Sequence, residues 1–334
     1  YNGNKRLKTI QQEKLNNQVA ELDVATSENN IQESIAQVYI QILYAAESVK
    51  VNESTLQVSI AQRDRGQELL NAGSIAKSDF AQLEAQVSTD RYQLVTAQAT
   101  LEDYKLQLKQ LLELDGENEM NIYLPALSDE NVLAPLPTKK DVYISALSLR
   151  PEIEASKLNV EASELGIGIA KSSYLPTISL SAGIGTNHTS GSDFTFGEQV
   201  KNGWNNSIGL SVSVPIFNNR QTKSAVQKAK LQYETSMLSL LDEQKTLYKT
   251  IEGLWLDANS AQQRYAAANE KLKSTQISYE LISEQFNLGM KNTIELLTEK
   301  NNLLQAQQEQ LQAKYMAILN TQLLKFYQGD QLAL

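Results

Sequence analysis

The chain has 334 residues, a net charge of −9, 41% hydrophobic residues and no cysteine. The acidic balance excludes the clustered Lys/Arg surface that nucleic acid requires, and the missing cysteine excludes disulfides and thiolate metal sites. Only 15 glycines, 6 prolines and 7% aromatics point to few turns, long elements and no large spherical core.

The first segment, residues 1–114, reads as a long helical hairpin. Ile31, Ile35, Val38, Ile42, Ala45, Val49 and Leu56 recur at alternating spacings of three and four, a heptad seam along which helices supercoil. A helix from about residue 4 to 72 would run roughly 100 Å, more than a compact domain can hold. It stops at Gly73, where glycine permits the left-handed turn that reverses the chain. Phe80, Leu83, Val87, Leu94, Leu101, Leu108 and Leu111 then form a returning seam.

Residues 115–140 carry Gly116, Pro125, Pro135 and Pro137 among polar residues and read as an irregular connector. A shorter helix follows over 141–173, with Pro151 suited to a first helical position. From 174 to 216 the period becomes two, so a strand hairpin is predicted. Ile178, Leu180 and Ile184 alternate with serine, threonine and glycine, and after a polar loop Ile208, Leu210, Val212 and Val214 do the same. Each run is about the 9–11 residues that a tilted strand needs to cross a bilayer. Apolar-out, polar-in alternation is what a water-filled barrel requires. Two strands cannot close a barrel, so further strands are expected from partner subunits and from a segment before Tyr1. The chain accordingly reads as a mature segment truncated at its N-terminus.

A second hairpin follows over 217–328. Its seam is Leu247, Ile251, Leu254, Ala258, Ala261, Tyr265, Ala268, Leu272, Thr275, Tyr279, Ile282 and Phe286, its tip is Gly289, and Leu297, Leu304, Leu311 and Ile318 return. Residues 329–334 are a short C-terminal segment. The two hairpins are a repeat with an offset of 289 − 73 = 216. That offset pairs Tyr39 with Trp255 and Asp79 with Glu295 without gaps, and a repeat of this length sets the architecture. The fold class is therefore mainly α with a β-hairpin, built from two long antiparallel coiled-coil hairpins.

The duplicated tips, the acidic residue six positions after each tip glycine, Leu149-Arg150-Pro151-Glu152 and Tyr174-Leu175-Pro176 entering a strand together resemble the TolC-like outer-membrane efflux proteins over essentially the whole chain. Val214-Pro215-Ile216-Phe217-Asn218 leaving the second strand completes the set. The resemblance implies a homotrimer in the Gram-negative outer membrane, with one shared β-barrel in outer-membrane lipid and an α-barrel reaching into the periplasm. It implies a periplasmic adaptor and an inner-membrane pump as partners, cargo of drugs or proteins, and no cofactor or catalysis. It implies adaptor docking at the tips around Gly73 and Gly289, and a gate in which Asp79 faces Lys291, with Glu295 as an acidic ring and Phe286 where the family has a tyrosine. The alternative is a soluble coiled-coil scaffold or a periplasmic adaptor. His188, the sole histidine, has no partner pattern for a metal site.

Overall fold

A computed structural model of the chain describes residues 1–114, 122, 123, 125 and 132–332. Gly116, most of the connector expected at 115–140, and the last two residues of the C-terminal segment lie outside the described residues.

In chain order the elements are α1 (Lys5–Asn71), α2 (Lys77–Leu111), α3 (Lys139–Leu149), α4 (Pro151–Ser172), β1 (Thr177–Gly185), α5 (Phe196–Asn202), β2 (Asn205–Ser213), α6 (Gln221–Asn287) and α7 (Thr293–Gln328). α1 and α6 each run for 67 residues, about 100 Å at 1.5 Å per residue. The segment 141–173 is two helices rather than one. Arg150 is extended, at φ −77° and ψ 124°, because the residue before a proline is pushed out of the helical region. The loop between the strands also contains α5, opened by Thr195 and Glu198, whose carboxylate accepts from the Thr195 N–H at 2.9 Å.

The chain forms two compact units, Tyr1–Ala25 with Pro151–Lys245, and Thr26–Arg150 with Thr246–Leu334. In the first, β1 and β2 pair antiparallel with Thr177 opposite Ser213 and Leu180 opposite Leu210. Tyr1 exchanges two backbone hydrogen bonds with Ile178, each 2.8 Å. The Gln12 side chain donates to Ala162 O at 2.8 Å, fixing α4 against the start of α1.

In the second unit the heptad seams are the core. Ile251, Ala258, Ala261, Tyr265 and Ala268 of α6 are buried, as are Ile42, Ala45 and Leu56 of α1. Ile31, at the edge of the expected seam, is exposed. The largest cluster gathers Ile40 and Leu43 with Tyr265 and the Ala313–Leu323 stretch of α7. The repeat grips the connector twice. Tyr39 Oη donates to Tyr123 O at 2.7 Å, and Trp255 Nε1, at the position equivalent to Tyr39, donates to Pro137 O at 3.0 Å. Arg150 is buried against Glu33 at 2.7 Å, with its guanidinium 3.9 Å from the Tyr327 ring centroid.

Candidate functional site

The residues expected to carry function fall in two places: the strand pair of the first unit, and the helix tips of the second. In the strand pair, register puts like with like. Ile178 faces Val212, Leu180 faces Leu210 and Ala182 faces Ile208, while Ser179 faces Ser211 and Gly183 faces Ser207. Side chains alternate across a strand, so one face of the ribbon is apolar and the other is serine and glycine. Leu180, Ile184, Ile208 and Leu210 are each 70% exposed or more. Val214 is exposed as well but lies just past the end of β2. Among the described residues no helix is long and apolar enough to cross a membrane. The loop joining the strands is held by its own contacts. Gln199 Oε1 accepts from the Thr189 N–H at 2.8 Å and bonds the His188 ring at 3.1 Å, which packs edge-on against Phe196.

At the tips the repeat reproduces the turn backbone. Gly73 and Gly289 have φ of +74° and +73°. Ser74 N donates to Leu69 O, and Met290 N to Gln285 O, both at 2.8 Å. These are Schellman turns, which satisfy the orphan carbonyls of a helix end. Around both glycines there is open space where a side chain would begin. The acidic residue six positions on is the third residue of the returning helix in both cases, and its carboxylate accepts the N–H of the cap residue. Ala76 N reaches Asp79 Oδ2 at 3.3 Å, and Asn292 N reaches Glu295 Oε2 at 3.1 Å.

The expected tip residues are thus placed as follows. Asp79 lies in the first turn of α2. Lys291 bonds Glu295, one turn away in its own hairpin. That hydrogen bond, with the one from Asn292 N–H, holds the Glu295 carboxyl below the usual carboxylate range. Among the described residues no ion pair joins Asp79 to Lys291. Phe286 is buried against Leu83 and Leu296, beneath the turn.

Sequence reasoning missed a polar trio behind the tips. Lys300 of α7, Asp90 of α2 and Ser59 of α1 are nearly fully buried. Lys300 bonds both Asp90 and Ser59, and the Ser59 hydroxyl donates to Asp90. Gln86 adds a bond to the other Asp90 oxygen at 2.9 Å. Burial pushes the Lys300 ammonium below its usual range, against the pull of Asp90. The signal was present: Asp90 falls between Val87 and Leu94 in its seam, and Lys300 between Leu297 and Leu304 in its own.

Long coiled-coil hairpins and a strand pair with one apolar, exposed face define a class of mainly helical chain that carries a short β-ribbon. The family described as outer membrane efflux protein matches residues 142–329, more than half of the chain, and the chain belongs to that family, proteins of the Gram-negative outer membrane. It is 24% identical over 294 residues to the outer membrane efflux protein BepC of Brucella suis biovar 1, covering 87% of this chain and 61% of BepC. It is 23% identical over 311 residues to the outer membrane protein TolC of Escherichia coli K12, covering 90% of this chain and 62% of TolC. The chain thus spans a little over 60% of the length of these curated relatives. The CmeC outer membrane channel of Campylobacter jejuni shares the fold with a TM-score of 0.82 at 19% identity, over 99% of this chain and 69% of CmeC.

Proposed function

We propose that the chain is part of one subunit of a homotrimeric outer-membrane channel. It serves a tripartite efflux or type I secretion system as a passive exit duct for drugs or proteins, and it is not an enzyme. The observation that carries this reading is the strand pair, a nine-residue ribbon with an exposed apolar face and a polar face. A soluble protein would bury such a face, whereas a barrel wall turns it to lipid and the serine face to water. The open edges of the ribbon cannot stand in hydrocarbon, so neighbouring copies and further strands close the barrel. BepC and TolC, an efflux protein and an outer membrane protein by name, support the same reading.

In this reading the tips are the periplasmic entrance. Asp79, Lys291 and Glu295 set its charge and Phe286 packs beneath it, and the open space at Gly73 and Gly289 lets a periplasmic adaptor, coupled to an inner-membrane pump, approach the backbone. Planar-bilayer conductance of the full-length detergent-purified protein tests the reading. Trimers with discrete cation-selective openings are expected, and the pair Asp79→Ala with Lys291→Ala should raise resting conductance. A soluble species without openings would overturn the channel and leave the coiled-coil scaffold. Openings whose resting level ignores the tip pair would remove the gate alone.

A further inference from the structure

Charge in the first unit is distributed very unevenly along the chain. Residues 1–10, 165–176 and 214–230, which flank the helix-proximal end of the strand pair, contain eight Lys and Arg and no Asp or Glu, in a chain of net charge −9. The opposite end, the loop 186–204, has Asp193, Glu198 and Lys201. Lys5 and Arg6 open α1, Lys171 closes α4, and Arg220, Lys223, Lys228 and Lys230 enter α6. All seven are exposed, and none is in an ion pair among the described residues.

Helix electrostatics sharpen the point. The other five helices each place an acid in the first turn: Asp79, Asp141, Glu152, Glu198 and Glu295. α1 and α6 place none there and carry cations instead, at the positive end of the helix dipole where cations are disfavoured. Arg220 is additionally held at φ +59°, in a left-handed conformation unfavourable for a residue with a side chain. The repeat does not impose these charges, because the equivalents of Lys5 and Arg6 are Gln221 and Thr222. Of the seven only Lys230 has a cation, Lys14, at the equivalent position, so cationic character recurs in the region more than at the positions.

Beside these cations Tyr174, Ile216 and Phe217 are exposed, Ile216 at 94% and Phe217 at 84%. Aromatic rings and snorkelling Lys or Arg side by side are the composition of a protein surface at headgroup depth. We infer that this end of the strand pair is a cationic belt that binds the phosphodiester headgroups of anionic phospholipids in the adjoining membrane leaflet. The inference rests on the reading that β1 and β2 cross the membrane. The lipid supplies a counter-charge that these three segments themselves lack, and so fixes the depth at which the helices leave the bilayer.

The test uses the full-length protein reconstituted into phosphatidylcholine vesicles containing a spin-labelled trace of phosphatidylglycerol or of phosphatidylcholine, with the motionally restricted fraction read by electron paramagnetic resonance. The expected result is a preference for phosphatidylglycerol that weakens with salt and falls about tenfold in K5Q/K223Q/K228Q/K230Q. Neutralising Lys249 and Lys273, exposed cations of α6 in the second unit, should leave it unchanged. Insertion with equal restriction of both lipids would overturn the belt and leave the barrel standing. An altered ion selectivity in the belt variant, with lipid preference intact, would place these cations in the lumen and likewise overturn it. Failure to enter either vesicle would remove the barrel reading and the belt with it.

Discussion

The two helix tips share a turn and differ in what starts the returning helix. At the first, Ala76 has no side-chain oxygen to accept the Asp79 N–H, which donates instead to the Ala76 backbone carbonyl at 3.1 Å. At the second, Asn292 Oδ1 accepts from Glu295 N at 2.9 Å, the bond is reciprocal, and Lys291 clamps Glu295 from the preceding turn. The tip backbone is thus a property of glycine spacing and is duplicated with it. Capping at the tip is a property of single side chains and has diverged, and the better-capped second tip is expected to be the firmer.

The seams diverge more deeply than the tips. The counterparts of Asp90 and Lys300 at the repeat offset are Ala306 and Glu84, so this buried ion pair belongs to neither repeat alone and ties the first hairpin to α7. Lys300→Ala leaves Asp90 charged, buried and unpaired, and should cost about 3–5 kcal/mol. Asp90→Leu with Lys300→Met removes both charges and should be much milder. Chemical denaturation followed by helical circular dichroism decides between them. A double variant as damaged as Lys300→Ala would mean that the trio does not act as a charge pair.

The cap exchange is smaller and reads the tips directly. Asn292→Ala should weaken the second tip by about 1 kcal/mol, and Ala76→Asn should strengthen the first by a similar amount. Hydrogen exchange at the first-turn amides of α7 and α2 reports each change locally. If Ala76→Asn gives no protection, side-chain capping does not set the stability of the first tip.

The periodicity of the chain made the hairpins, both tips and both strands legible, because a seam at 3.5 residues and an alternation at 2 are local patterns. The tip acids were legible as positions, yet their capping geometry was not, since the same acids also fit a charged entrance. α3 escaped notice because 11 residues give little more than two heptad steps, here Val142 and Ala146. α5 carried its own signal in Thr195 and Glu198, a capping pair three residues apart. Arg150 stood out only as part of a motif. Its partners Glu33 and Tyr327 lie 117 and 177 positions away, and no local pattern specifies such a pairing.

The smallest expected effect concerns acid. Glu295 has a depressed folded pKa, so the cap it provides is complete above the ordinary carboxylate value of 4.5 and is lost as pH falls through the lower, folded value. Protonation removes one acceptor from Asn292 N–H and the ionic partner of Lys291 together, so the second tip should loosen only in that acid window. Exchange at the Asn292 amide, corrected for its intrinsic pH dependence, should therefore rise below pH 4.5. Lys291→Ala should move the onset upward, because the first cause of the depression is gone. Glu295→Gln should show no acid step, since the amide has no proton to gain. An acid step that survives in Glu295→Gln would assign the loosening to another carboxylate and end the claim that Lys291 and Glu295 make the second tip the firmer one.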